Sequence, residues 1–261
     1  MIIKRIWGAF LAAVMLCTGV LVRADDINEI SVPMLAYHDF SEEASHDFVV
    51  SSDVFESHIS AISEAGYTAI SFRELIDFVN GDGVMPNKPI LIVADDGYSG
   101  VLDIASPIAG KYGMKLSCAV IGSLADASAG HFSLDCDIPD NVEIVSHTYA
   151  MHDRSSFDGL VSQSCVSEDY RRLLLSDRLA FGEWSVIFPM INEVMVYPHG
   201  SYNSETERLL SEMGCSVSVT CDYGTNIVCR GKPETLRKMR RITVWGQTTD
   251  EELMCALRRF G

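Results

Sequence analysis

Short apolar runs alternate with segments of helical periodicity along almost the whole chain. Residues 31–38 (SVPMLAYH) read as a first strand. Val54, Phe55, Ile59 and Ile62 fall at helical spacing within 54–65. Ser52 or Asp53 is placed to cap that helix, and Gly66 stands where it stops. Further strands are expected at 67–72, 90–94, 115–121, 142–145, 193–197, 216–220 and 241–244. Helices are expected at 73–79, 100–112, 167–184 and 204–213. Strand followed by helix, repeated in this way, requires parallel strands joined by crossover helices. The 90–94 run (ILIVA) has no polar alternation, as a strand buried on both faces should not. No Gly-rich phosphate loop and no GxGxxG follows the first strand, which disfavours a nucleotide-binding sheet. A closed or nearly closed α/β barrel is the better expectation, and such barrels collect their chemistry at the carboxyl ends of the strands.

The amino terminus is a separate object. Lys4 and Arg5 precede an apolar run, 6–22, and the chain then reads Val22-Arg23-Ala24 before the acidic pair Asp25-Asp26. This is the pattern of a signal peptide cleaved after Ala24, which divides the chain into a leader, 1–24, and a domain, 25–261. The run is at the short edge of a membrane span, so an uncleaved anchor is the alternative. Either way the protein is expected to be secreted or held at the cell surface. With 261 residues, 48% of them hydrophobic, the remainder can bury a sizeable core.

The formal net charge is −16, and loss of a leader holding Lys4, Arg5 and Arg23 makes the domain more acidic still. Such a surface repels nucleic acid and anionic lipid, although acidity also serves solubility alone. Of eight cysteines, Cys17 lies in the leader, leaving an odd number. No CxxC spacing suggests a cysteine-based metal site. Cys118 reads as a buried free thiol, and one local bridge is expected among Cys215, Cys221 and Cys229.

The strand ends carry the functional signal. The first ends in Tyr37-His38-Asp39, the apolar one in Asp95-Asp96-Gly97-Tyr98, another in His147 followed by His152, and another in Tyr197-Pro198-His199-Gly200. Asp-Gly alone would suggest only a turn. Four of the seven histidines fall at these ends, however. Two histidines on one loop plus a carboxylate from a neighbouring strand make a three-ligand metal site with an open position.

Taken together, VPMLAYH, the FxxHIxxIxxxGY stretch from Phe55, KPILIVADDGY, KYGMKLSCAVIG, EIVSHTYAMH and YPHGSYN resemble the polysaccharide deacetylases, the NodB-like carbohydrate esterases. The resemblance runs from about Pro33 to Val244 and is greatest to the branch acting on exopolysaccharide or cell-wall glucosamine, with its YPYG motif. It implies a distorted (β/α) barrel of about seven parallel strands. It also implies hydrolytic, metal-dependent removal of acetyl groups from N-acetylglucosamine-containing polysaccharide, with release of acetate. Carried to matching positions, Asp96, His147 and His152 would bind one divalent ion, zinc by default and cobalt or nickel as substitutes. Asp95 would be the general base. His38, Tyr98, Tyr197, Pro198 and Arg241 would line the substrate or support the site. The expected partner is a glycan, with no nucleic acid and no nucleotide, and the expected state is a monomer.

Three departures bear on the acid–base apparatus. Val93-Ala94 precedes Asp95 where the family shows Thr-Phe. Val196 occupies the place of an arginine that clamps the base, so Arg240 or Arg241 is needed instead. His199 replaces a tyrosine, and no histidine follows it to protonate the leaving amine, which leaves His199 or water for that task. A metal-binding, glycan-holding protein with little turnover is therefore the alternative to an enzyme.

Overall fold

In the computed structural model, residues 28–125, 130–133, 136–152, 168–187 and 190–260 are described. The expected leader, its expected cleavage point, Cys17 and Cys165 lie outside them. In chain order the elements are β1 (Glu29–Tyr37), β2 (Asp39–Ser41), β3 (Val49–Ser51), α1 (Ser52–Glu64), β4 (Thr68–Ala69), α2 (Phe72–Asn80), β5 (Pro89–Ala94), α3 (Ser106–Lys111), β6 (Leu116–Val120), β7 (Val142–Ser146), α4 (Glu168–Ile187), β8 (Met190–Val196), α5 (Ser204–Glu212), β9 (Val217–Tyr223), β10 (Thr225–Cys229), β11 (Met239–Thr243) and α6 (Asp250–Phe260).

Seven parallel strands close a barrel in the order β1-β11-β9-β8-β7-β6-β5 and back to β1. Closure comes from β1 pairing with β5 from Met34↔Leu91 to Tyr37↔Ala94 on one side, and with β11 at Leu35↔Ile242 and Ala36↔Thr243 on the other. The expected barrel of about seven parallel strands is therefore observed. The first and last barrel strands become neighbours, which places the end of β1 among the functional strand ends.

The absence of alternation in β5 now has its cause. Leu91 and Val93 belong to one buried cluster, with Met34, Val145, Val196 and Met239, capped by α2 residues such as Phe72 and Phe78. Ile90, Ile92 and Ala94 belong to the other, with Phe55 and Ile59 of α1 and Leu257 of α6. Both faces of the strand are apolar because both are covered. Each side chain so buried contributes roughly 1.5–3 kcal/mol relative to exposure.

Local chemistry adjusts the expected boundaries. The cap of α1 is Ser51, whose side chain accepts from the Val54 amide, and not Ser52 or Asp53. Ser71 and Glu74 form a capping box that starts α2 at Phe72, so the expected strand 67–72 shrinks to Thr68–Ala69. The expected helix 100–112 begins as a π-helical stretch, Val101–Ala105, and continues as α3 with Pro107 at its start, a residue that cannot donate to the preceding turn. The short β2–β3 pair, β10 and α6 were not legible as separate elements. β10 is antiparallel to the first half of β1, from Glu29↔Cys229 to Pro33↔Thr225. The expected local bridge does not form, since Cys215, Cys221 and Cys229 are all free thiols. Cys118 is a buried thiol as expected, and burial pushes its pKa up.

Candidate active site

The parity of the strands decides which side chains reach the barrel mouth. On β5, Leu91 and Val93 point into the inner cluster, and Asp95 continues that face. On β11, Met239 is in the same cluster, and Arg241 continues its face. The two charged groups therefore meet at the top of the lumen. Arg241 Nη1 donates to Asp95 Oδ1 at 2.8 Å and Oδ2 at 2.7 Å, Nε donates to the Thr220 carbonyl at 2.8 Å, and Nη2 to Cys221 Sγ at 3.1 Å. Both partners are buried. Burial alone would raise the Asp95 pKa, but Arg241, His147 and His38 outweigh it and hold the carboxyl below the usual range. Of the two arginines the sequence left open, Arg241 supplies the guanidinium. Arg240 is exposed.

Asp96 leaves the strand. Its φ is 72° and that of Gly97 is 85°, a left-handed pair that turns the second carboxylate away from the path of the first. Gly97 is favoured here by its φ, and a Cβ would sit tightly, 3.3 Å from Val120 Cγ1. The Asp96 carboxylate lies 3.5 Å from His147 Nε2 and 3.2 Å from His152 Nε2, both measured to Oδ1. Burial raises its pKa, yet the His152 hydrogen bond and the two histidines bring it down to about 2.

His147 follows Val145 on the inward face of β7. Its Nδ1 donates to the Val196 carbonyl at 2.8 Å, which leaves Nε2 as the lone-pair nitrogen facing Asp96. Burial lowers its pKa against the pull of Asp95 and Asp96, so the ring is held neutral, as a ligand must be. The loop from His147 to His152 is fastened by α4: Asp177 accepts the Tyr149 amide at 2.9 Å and the Ala150 amide at 2.7 Å. One ligand atom each from Asp96, His147 and His152 lie within 4.8 Å of one another. The donor set and the fixed tautomer of His147 fit a divalent cation. Among the described residues four non-glycine positions have positive φ, and three of them are Asp96, Thr148 and His199, so backbone strain is concentrated around this cluster.

A cavity of about 450 Å³ opens over these groups. It is lined by Asp95, Asp96, His147, His152, His199 and Arg241, and also by His38 and Tyr98. His38 enters from the end of β1, and its Nδ1 is buried without a hydrogen-bond partner among the described residues. His199 sits in the Pro198–Gly200 turn with its Nε2 donating to the His152 carbonyl at 3.1 Å. Tyr98 packs its ring on His131, with centroids 4.7 Å apart. Tyr197 and Pro198 are not brought to the cavity by their side chains. Val194 and Val196 take the inward face of β8, so Tyr197 faces outward into a cluster with Leu209 and Leu210, and its hydroxyl donates to Glu207 at 2.5 Å.

Sequence reasoning missed Asp39, His46, Phe48, Cys221 and Trp245, all of which line the cavity. His46 and Phe48 come from an aperiodic loop between β2 and β3, where residue type alone carries no signal. Cys221 is one of the three cysteines among which a local bridge is expected from the sequence. It instead abuts Gly200, where a Cβ would come within 2.7 Å of it, and accepts from Arg241.

A parallel barrel whose mouth holds an ion-paired carboxylate beside an Asp-His-His cluster defines the class, a (β/α) barrel with a candidate metal centre at the carboxyl ends of its strands. No family model matches the chain. It is similar to YxkH of Bacillus subtilis (strain 168), a protein provisionally named a polysaccharide deacetylase, with 28% identity over 199 residues covering 74% of this chain. The chain spans 65% of the length of YxkH. Its fold is shared with the deacetylase PplD of Streptococcus pyogenes, solved in complex with acetate (TM-score 0.68, 19% identity, 87% of this chain and 98% of that one). It is shared also with a de-N-acetylase from Aggregatibacter actinomycetemcomitans (TM-score 0.69, 18% identity, 87% and 100%) and with IcaB from Ammonifex degensii (TM-score 0.67, 18% identity, 87% and 96%). At these identities the likeness to the solved structures is one of fold. The resemblance to polysaccharide deacetylases read from the motifs thus recurs in overall sequence and in architecture.

Proposed function

We propose that this chain is a metal-dependent de-N-acetylase that hydrolyses acetyl groups from N-acetylglucosamine-containing polysaccharide. The observation that carries this reading is the division of labour between Asp95 and Asp96. Adjacent carboxylates repel, yet here one is neutralised by Arg241 and the other faces two histidines. Asp96, His147 and His152 would hold the cation, and zinc suits that set, with cobalt or nickel able to replace it. When bound, such an ion polarises an acetamide carbonyl and lowers the pKa of water in the site. Asp95, ionised at neutral pH, is positioned at the cavity wall to take a proton from the attacking water. Arg241 keeps that carboxylate charged and fixes its plane, its own guanidinium being held by two further contacts, to Thr220 and Cys221. His38 lines the same cavity from the end of β1, and we assign it the task of giving a proton to the departing amine. His199 lines the cavity too, with Nε2 engaged with the His152 carbonyl, and its part is separated from that of His38 by substitution. Acetate as the released product is supported by the PplD complex with acetate.

The test is acetate release from acetylated glucosamine oligomers, peptidoglycan and acetylxylan by the metal-loaded protein. Asp95→Asn is expected to keep the metal and lose turnover by roughly a hundredfold or more, the range for a lost general base. Asp96→Asn is expected to lose both. Metal retained in full by both variants, or no acetate from any glycan with metal bound, would overturn the reading.

A further inference from the structure

Beside Arg241 the pairing of β9 with β11 changes register. Met239 stands opposite Val219 and Arg241 opposite Tyr223, so Thr220, Cys221 and Asp222 together face Arg240 alone. The surplus residues form a bulge in β9, and bulges recur next to active sites because they re-aim a side chain. This one is held from within. The Asp222 amide donates to Thr220 Oγ1 at 3.1 Å, and that hydroxyl donates to the Met239 carbonyl at 3.3 Å. The bulge brings the Thr220 carbonyl and the Cys221 side chain to the same guanidinium.

Cys221 lies between two parts of the site. On one side its Sγ accepts from Arg241 Nη2 at 3.1 Å. On the other it abuts the Pro198–Gly200 turn that carries His199, where a Cβ on Gly200 would lie 2.7 Å from Cys221 Cβ and 2.9 Å from Sγ. The turn therefore limits where the sulfur can go. A guanidinium is planar, with its N–H groups in a rigid fork. A single anchor, Nε to the Thr220 carbonyl at 2.8 Å, leaves that plane free to turn about the bond. A second anchor at Nη2 fixes the plane, and with it the direction in which Nη1 meets both oxygens of Asp95.

We infer that Cys221 is a positioning residue of the reaction. Its sulfur sets the plane of Arg241, and through Arg241 the attitude of the Asp95 carboxylate. Its packing on Gly200 ties the His199 turn to the same clamp. Among the described residues no other cysteine lines the cavity. The inference rests on the functional reading above and adds to it a residue that acts at one remove from the proposed base.

Three variants separate positioning from packing. Cys221→Ser keeps an acceptor and loses bulk, Cys221→Val keeps bulk and loses the acceptor, and Cys221→Ala loses both. Each is loaded with metal and compared with the parent for acetate release, metal content and thermal unfolding. The valine and alanine variants are expected to lower kcat roughly tenfold, the scale of one hydrogen bond to a charged group, with KM and metal content unchanged. The serine variant is expected to recover most of that loss. A second readout needs no turnover. With arginine isotopically labelled for NMR and assigned from the backbone outward, the Arg241 Nη protons should exchange slowly with water in the parent and in Cys221→Ser, and faster in the other two. If kcat follows bulk, with valine near the parent and serine beside alanine, or if Arg241 exchanges alike in all of these proteins, the inference is overturned and the functional reading stands. If the parent releases no acetate from any glycan, the functional reading falls, and the exchange pattern still decides whether Cys221 holds Arg241.

Discussion

Arg241 and Asp95 are 146 positions apart, yet Arg241 Nη1 lies 2.8 and 2.7 Å from the two oxygens of that carboxylate. The contact exists because the barrel closes through β1, which pairs with β5 on one side and β11 on the other. Both side chains are on inward-facing positions of their strands, one above Val93 and the other above Met239. A structural ion pair would need only this. A base at a reacting water needs the same pair to be ionised and immobile, and the three-partner anchoring of the guanidinium supplies both.

Removing one member of a buried pair leaves the other charge without compensation. Arg241→Met is expected to cost about 3–5 kcal/mol of stability, read as a shift in the urea midpoint. Asp95→Leu combined with Arg241→Met should restore most of it, since apolar replacement of both partners is often near neutral. Additive losses in the double variant would show that the two residues act independently. Arg241→Lys should not substitute, because one ammonium cannot meet Asp95, Thr220 and Cys221 from a single position.

Asp177 is remote from the cavity but governs its loop. Its carboxylate takes the Tyr149 and Ala150 amides, three and two residues before His152. Burial raises its pKa and those amide bonds oppose the rise. Asp177→Ala should leave His147 in place, since that ring is held by Val196, and free His152. The expected outcome is metal affinity weakened by roughly 10–100-fold, the usual cost of a lost outer partner, as measured by competition with a chelator. Unaltered affinity would show that the loop is fixed by other contacts.

The fold was legible because its signal is periodic. Inward and outward residues alternate along each barrel strand, and apolar runs without polar gaps reported that both faces are covered. The same parity would have excluded Tyr197, since Val194 and Val196 claim the lumen. The Asp96, His147 and His152 set was legible because the residue types are rare and cluster at strand ends. Which arginine clamps Asp95 was not, since Arg240 and Arg241 are adjacent and only strand register separates them. His46, Phe48 and Trp245 were invisible for a different reason. They reach the cavity through loops that pack on each other across the whole length of the chain, and no local pattern records such a contact.

His58 offers a pH dependence independent of the cavity. It is fully buried, with Nε2 donating to the Thr248 carbonyl at 2.9 Å and Nδ1 3.2 Å from the Tyr37 hydroxyl. Asp250 is the charged group facing it, 3.8 Å away. Burial lowers its pKa from 6.5 against the bond to Thr248 and the charge of Asp250. Below pH 6.5 the unfolded chain takes up a proton that the folded one refuses. Stability therefore falls as pH drops from 6.5 to the folded value and levels off beneath it, by up to about 1.4 kcal/mol per pH unit in that window. His58→Gln can keep both hydrogen bonds and should flatten this part of the profile. Equal losses for parent and variant on acidification would assign the effect to other groups.

The identity of the proton donor separates two histidines at one cavity. His199 is engaged through Nε2 with the His152 carbonyl, whereas His38 Nδ1 has no hydrogen-bond partner among the described residues and the ring packs against Phe48. A donor to a departing amine must have a proton that is not already committed to the backbone. His38→Gln is therefore expected to lower kcat by roughly 10²–10⁴-fold, to keep the metal, and to abolish the alkaline limb of the pH–rate profile that a general acid produces. His199→Tyr should retain turnover within about an order of magnitude, the expectation for a side chain that lines the site without moving a proton. Loss of the alkaline limb in His199→Tyr, with His38→Gln keeping it, would transfer the acid role to His199. Retention of the limb in both variants would leave water as the proton source.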